Sequence, residues 1–234
     1  MYPTFKRRIL ATDLDNTIVS AEVPHKALWD TVSLQHTSLI YITGRHKESA
    51  LSLIEKEQLP KPEMLICDVG ASIYIGPDYT LDEEWAKTNE RADFETVKQL
   101  AEELKMQPQP IDTDWRLAFY ADANQVEALQ EEIDEANLAV ETIYSSERDL
   151  DIMPKNVDKG AALEYVLHEV GYNGKVVVAG DSENDVSLFE LGLPAIAVGN
   201  ACETIRNMGD EPHIYVASQP ASAGVKEIWT QLLK

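Results

Sequence analysis

Residues 7–17 read RRILATDLDNT, an apolar run that ends in two carboxylates two positions apart, Asp13 and Asp15. A strand that runs straight into acid is the start of a pattern that recurs along the chain. SLIYIT (38–43) is a second strand-like run and leads into Thr43-Gly44-Arg45. KVVVAG (175–180) leads into Asp181-Ser182-Glu183-Asn184-Asp185, and a helix-like stretch over 159–170 opens on Lys159-Gly160. In parallel α/β sheets, ligands bind beyond the carboxyl ends of the strands. All these polar groups therefore fall on one expected sheet edge. Apolar runs alternating with amphipathic stretches predict an α/β fold with a Rossmann-like parallel sheet.

Further out, helices are expected over roughly 25–36 and 46–57, the latter with Ala50, Leu51 and Ile54 at helical spacing, and MLICDVG (64–70) gives a third strand. The rhythm then changes. A hairpin turning at Gly76-Pro77-Asp78 is followed by a helix at about 90–105, a break at Pro108 and Pro110, a strand at 116–122 and a helix at 124–136. LAVETIY and RDLDIM form a hairpin joined at Ser145-Ser146. This helix-and-hairpin pattern predicts a small α+β lobe inserted into the parallel domain. The domain reading is a core of residues 1–82 and 155–234 with an inserted α+β cap of residues 83–154. After 158 the first rhythm returns, with helices at 159–170, 183–191, 202–208 and 222–233.

Of 234 residues, 41 are acidic and 20 are basic, a formal net charge of -21. Such a surface repels nucleic acid and anionic membranes, and no apolar run approaches the ~20 residues that span a bilayer. The N-terminus lacks the apolar stretch of a signal peptide, and Cys67 and Cys202 have no metal-type spacing. A cytoplasmic protein with reduced thiols is expected. The same negative field repels a phosphate ester, so a phosphate site here must carry its own positive charge.

The strand-end residues suit that chemistry. One carboxylate of the Asp13/Asp15 pair can attack phosphorus and form an aspartyl-phosphate. The other can protonate the departing alcohol and then deprotonate water. Asp13, the backbone carbonyl of Asp15 and Asp181 form an oxygen set suited to Mg²⁺, with Asp185 or Asn184 orienting it from behind. Thr43 offers a hydroxyl, the Gly44 N–H lies where a helix is expected to begin, and Lys159 supplies positive charge for phosphoryl oxygens. Any one of these motifs can be a plain turn; the conjunction of four, in this order at one sheet edge, carries the reading.

DLDNT, TGR, Lys159 and GDSEND resemble, in order, the four motifs of the haloacid dehalogenase (HAD) superfamily. An insertion between the second and third resembles its type-II cap. ITGRHKES, VGASIY, EEWAK, Trp115-Arg116, YSSERDLDIMP, GDSENDVSLFE, VGNA and SAGV narrow the likeness to the sucrose-phosphate phosphatase-like group. Ser222-Ala223-Gly224 departs from the His-Ala-Gly expected of many members. The resemblance implies Asp13 as nucleophile and metal ligand, and Asp15 as acid/base. It implies Thr43, Gly44, Lys159 and Asn184 at the phosphate, and Asp181, backed by Asp185, at Mg²⁺. The implied activity is a Mg²⁺-dependent phosphatase for a small sugar phosphate, the chain being a monomer or weak homodimer. Two alternatives stand beside it: a phosphohexomutase resembling phosphomannomutase, and a non-catalytic phosphate-sensing scaffold. A mutase needs several cap cations to hold its sugar, and residues 83–154 offer only Lys87, Arg91, Lys98, Lys105, Arg116 and Arg148. A dead scaffold is expected to lose Asp13 or the fourth motif, and both are present. Arg45 is expected to pair with a surface carboxylate, and Trp85 and Trp115 to pack in the core rather than stack on a sugar.

Overall fold

The computed structural model describes residues 2–88, 92–111 and 113–233. Among these residues twelve strands run in chain order: β1 (Arg8–Thr12), β2 (Thr37–Ile42), β3 (Met64–Cys67), β4 (Ser72–Ile75), β5 (Thr80–Leu81), β6 (Gln107–Pro108), β7 (Leu117–Tyr120), β8 (Val140–Ser145), β9 (Asp149–Pro154), β10 (Lys175–Gly180), β11 (Ala195–Ala197) and β12 (Ile214–Val216). The helices are α1 (Lys26–Trp29), α2 (Lys47–Lys56), α3 (Glu83–Ala86), α4 (Phe94–Glu103), α5 (Ala123–Glu135), α6 (Lys159–Glu169), α7 (Val186–Phe189), α8 (Glu203–Asn207) and α9 (Ala221–Leu232). Eight strands form one sheet in the order β12-β11-β10-β1-β2-β3-β4-β5, and β6-β7-β9-β8 form a second, antiparallel one. From β12 to β3 the large sheet is parallel; β4 and β5 close its edge antiparallel. Strands covered on both faces must be apolar throughout, and β2 is buried at every position. The chain winds outward from β1 through β2 and β3, then restarts at β10 and winds the other way. The order therefore reverses between β1 and β10, where open α/β sheets leave a crevice.

The second sheet and helices α4 and α5 carry their own apolar cluster, including Val97, Ala101, Phe119, Leu129, Ile133 and Ile152. This is the inserted α+β lobe. Its helices begin at defined caps: Asp93 accepts from Thr96 N–H, and Asp122 and Gln125 form a reciprocal capping box. Trp85 and Trp115 pack on the larger core cluster instead, and Trp85 Nε1 donates to the Gly70 carbonyl at 2.9 Å.

Three expected helices differ. The stretch at 25–36 is helical only over Lys26–Trp29: Thr31 Oγ1 bonds back to the Ala27 carbonyl, and a turn at Ser33–His36 follows. The stretch at 183–191 begins as a 3-10 turn, Glu183–Asp185, because the Asp185 carboxylate folds back onto the N–H groups of Asp181 and Ser182. In the inserted lobe, α4 begins at Phe94, and the start of the helix expected at 90–105 lies outside the described residues, as does Arg91.

Candidate active site

Asp13 follows β1 directly, its N–H still held by the Ala179 carbonyl of β10 at 3.0 Å. It is thereby anchored where the strand order reverses. Lys159, at the start of α6, is 1% exposed and donates to Asp13 Oδ1 at 2.9 Å and to Asp185 Oδ1 at 2.6 Å. The other oxygen of Asp185 accepts the Asp181 and Ser182 N–H groups at 2.9 and 3.1 Å. Both oxygens of Asp185 are thus engaged, and the side chain braces the loop after β10. That brace needs Gly180: a Cβ there would stand 2.6 Å from Asp185 Cβ. Gly160 has a similar reason, since its Cβ would meet the Ser187 carbonyl oxygen at 2.4 Å and push α6 away.

Asp13, Asp181 and Asp185 bring carboxylate oxygens within 4.8 Å of one another and are all buried. Burial first, and then the neighbouring carboxylates, raise the Asp13 carboxyl well above its ordinary range despite Lys159 beside it. The same causes lift Asp181 to about 7, opposed by the Thr17 hydroxyl and Lys159. Lys159 is pulled down by burial, but Asp13 and Asp185 override this and hold it above its usual value. All three groups shift toward holding protons, the response expected where negative charge is in excess. With Asp15 and Arg45 included, four carboxylates face two cationic side chains, a deficit of two positive charges. Asp13 Oδ2, Asp181 Oδ2 and the Asp15 carbonyl accept no hydrogen bond among the described residues. Unclaimed hard oxygens beside uncompensated charge fit a divalent cation such as Mg²⁺.

Asn16 stands at φ 59, in the left-handed region that Asn tolerates better than most residues. The turn lets Thr17 donate to Asp181 Oδ1 at 2.8 Å, tying the first motif to the fourth. Asn200 secures it from behind by donating to the Asn16 carbonyl at 3.0 Å. Neither Thr17 nor Asn200 stands out in the sequence; the signal for Thr17 lay in the last letter of DLDNT, read only as part of a motif.

The Arg45 guanidinium grips Asp15 bidentately, at 2.7 and 2.8 Å. Its partner is therefore a carboxylate of the cleft itself and not a stray surface acid. The Gly44 loop also differs from expectation. Helix α2 begins at Lys47, after His46 in an extended conformation (ψ 162°). The Thr43 and Arg45 carbonyls are already taken by the Val69 and Asp68 N–H groups, at 3.1 and 3.0 Å, so the helix cannot start earlier. The N–H groups of Leu14, Asp15 and Gly44 donate no hydrogen bond among the described residues. Unclaimed main-chain N–H groups of this kind can serve an anion. Leu14 is invisible to a search by side-chain type.

A cleft of about 630 Å³ opens over this edge, lined by Asp13, Asp15, Gly44, Asp181 and Asn184 on the sheet side. Thr43, Lys159 and Asp185 are buried and do not line it. The opposite wall comes from the inserted lobe and includes Tyr120, Arg148 and Asp149. The tip of the β8–β9 hairpin touches the fourth motif, Ser146 N–H donating to Glu183 Oε2 at 3.3 Å.

The architecture is that of the HAD class. A structure of an HAD subclass IIB sugar phosphatase superposes with a TM-score of 0.73 at 17% identity, over 96% of this chain and 98% of that one. The sucrose-phosphatase of Synechocystis, solved with sucrose and phosphate, superposes with a TM-score of 0.88 at 26% identity, over 97% and 98%. Residues 6–229 match the sequence model of the sucrose-6F-phosphate phosphohydrolase family, and the chain belongs to that family. A probable sucrose-phosphatase 2 of Arabidopsis thaliana is 29% identical over 94% of this chain, which spans 58% of that relative's length. A mannosylfructose-phosphate phosphatase of Agrobacterium fabrum is 27% identical over 92% of both chains. No helix among the described residues is long and apolar enough to cross a membrane.

Proposed function

We propose that this protein is a Mg²⁺-dependent phosphatase that hydrolyses a sugar phosphate of the sucrose 6-phosphate or mannosylfructose phosphate kind. One observation carries the reading: the nucleophile candidate Asp13 is pinned by buried Lys159 within a carboxylate cluster short of two positive charges. Asp13, Asp181 and the Asp15 carbonyl would hold Mg²⁺, which when bound would neutralise carboxylate and phosphate charge together. Asp13 attacks phosphorus, and the leaving oxygen takes a proton from Asp15. Asp15 then removes a proton from the water that releases phosphate from Asp13. Thr43, the Leu14 and Gly44 N–H groups, Asn184 and Lys159 hold the phosphoryl oxygens as charge moves among them. For Asp15 to reach the leaving oxygen, its carboxyl must leave the Arg45 fork; substrate arrival supplies the competing partner. Residues 83–154 act as the cap, seated on the core segments 1–82 and 155–234, and offer the sugar-facing wall.

One cap cation tells against a mutase. Arg116 is buried in a pair with Asp151, so it is not free for the second phosphate a mutase must grip. The test is a screen of sucrose, mannosylfructose, trehalose and hexose phosphates for inorganic phosphate release, with Mg²⁺ and without a bisphosphate activator. Release from a disaccharide phosphate, abolished in Asp13→Asn and by chelator, is the expected result. Release that needs the bisphosphate, or survives Asp13→Asn, contradicts it.

A further inference from the structure

Among the described residues, one buried cation lies outside the Lys159 cluster and bridges lobe and core. Arg116, just ahead of β7, has a side chain only 3% exposed. It pairs with Asp151 of β9 within its own lobe. Across the seam, Nη2 donates to the Gly44 carbonyl at 2.8 Å. Nε stands 4.0 Å from Asp68 Oδ1, just after β3, and neither of those atoms has a hydrogen-bond partner among the described residues. Trp115 beside it packs on the larger core cluster. A buried guanidinium is costly unless its donors are met. Here Nη1 is met from the lobe and Nη2 from the core, so the arginine gains its core acceptor only when the lobe is seated.

The Gly44 carbonyl and the Arg45 N–H belong to one rigid peptide plane. The carbonyl end is held by Arg116, and the N–H end donates to Thr43 Oγ1 at 3.1 Å. Pinned at both ends, the plane cannot rotate. The Thr43 oxygen accepts there, and its own O–H donates to no group among the described residues. A hydroxyl has one proton to give, and no described group takes this one.

We propose that Arg116 is a positioning residue: reaching from the cap, it fixes the Gly44–Arg45 peptide and so aims the Thr43 hydroxyl at the phosphate. This deepens the phosphatase reading and rests on it. The cap then does more than cover the site, because its seating completes the phosphate cradle from behind.

Arg116→Lys and the double variant Arg116→Met/Asp151→Leu test this; the double change avoids leaving Asp151 buried without its partner. Each is assayed with 4-nitrophenyl phosphate, which offers no sugar to the cap, and with sucrose 6-phosphate. Inorganic phosphate serves as the inhibitor, and thermal melting confirms the fold. In the folded double variant phosphate inhibition is expected to weaken about tenfold, the scale on which orienting partners act. Catalytic efficiency should fall by a similar factor for both esters, with Arg116→Lys recovering part of each loss. An inhibition constant does not depend on how much enzyme is folded, so a purely structural role leaves it unchanged. Inhibition within twofold of the parent, or a loss confined to the sucrose ester, overturns the proposal. A parent protein that neither hydrolyses these esters nor binds phosphate would instead bring down the phosphatase reading, a failure seen before any variant is made.

Discussion

The two walls of the cleft are built by different rules. On the sheet side Asp13, Asp185 and Lys159 are buried and mutually engaged: Asp13 is 5% exposed, Asp185 is 0%, and Lys159 bridges them. Strand ends at the reversal of a parallel sheet set their positions, and each side chain is fixed by another. On the lobe side, Arg148 is 67% exposed in its side chain and leans on Asp149 and the ring of Tyr120. Such contacts are weak and replaceable. The difference teaches how one frame can keep its chemistry while changing its substrate: the buried charges of Asp13, Asp185 and Lys159 hold one another in place, and the exposed hairpin offers contacts where substitution is cheap.

Four predictions test this contrast, from the largest expected effect downward. Asp13→Asn should lower kcat on the order of a millionfold, the scale seen when an essential nucleophile is removed, with the circular dichroism spectrum unchanged. Asp15→Asn should cost roughly 10²–10⁴-fold, as for loss of a general acid–base group. That loss should be smaller for 4-nitrophenyl phosphate, whose leaving group needs little protonation; equal losses for both esters argue against the acid role. Arg148→Ala should raise KM for a disaccharide phosphate by roughly two- to fivefold, an exposed pair being worth under about 1 kcal/mol, while kcat for the small ester stays the same. A large fall in kcat with 4-nitrophenyl phosphate would erase the contrast between the walls.

The fourth concerns pH and metal. In the metal-free chain, burial and neighbouring carboxylates raise the folded-state values of Asp13 and Asp181, the latter to about 7. A carboxyl raised on folding stabilises the fold most below its unfolded value, near 4, and that contribution drains as pH rises through the folded value. The chelated protein should therefore melt at lower temperature near pH 8 than near pH 5. Mg²⁺ should raise the melting temperature more near pH 8, where it no longer competes with protons. A metal-induced shift of equal size at both pH values contradicts the charge deficit.

Much of the sheet-side wall was legible in the sequence because strand ends announce themselves. Apolar runs such as ILA and KVVVA stop at Asp13 and just before Asp181, and topology does the rest. What could not be read is what depends on main-chain atoms and on partners distant in sequence. Leu14 offers only an N–H group, Thr17 meets Asp181 across 164 positions, and Arg45 chooses Asp15 through space. The turn at Gly44 defeated a helix-start reading because Val69 and Asp68, about 25 residues downstream, claim the carbonyls that a helix would use. Arg116 looked like one of six cap cations; only the fold shows that it is buried at the seam.

The proposed step at Asp13 is covalent and can be tested covalently. The protein is mixed with Mg²⁺ and sucrose 6-phosphate, quenched in the steady state, reduced with borohydride and digested for mass spectrometry. An aspartyl-phosphate is reduced to homoserine, and homoserine at position 13 alone is the predicted result. Active enzyme that yields homoserine at another aspartate, or at none, contradicts it.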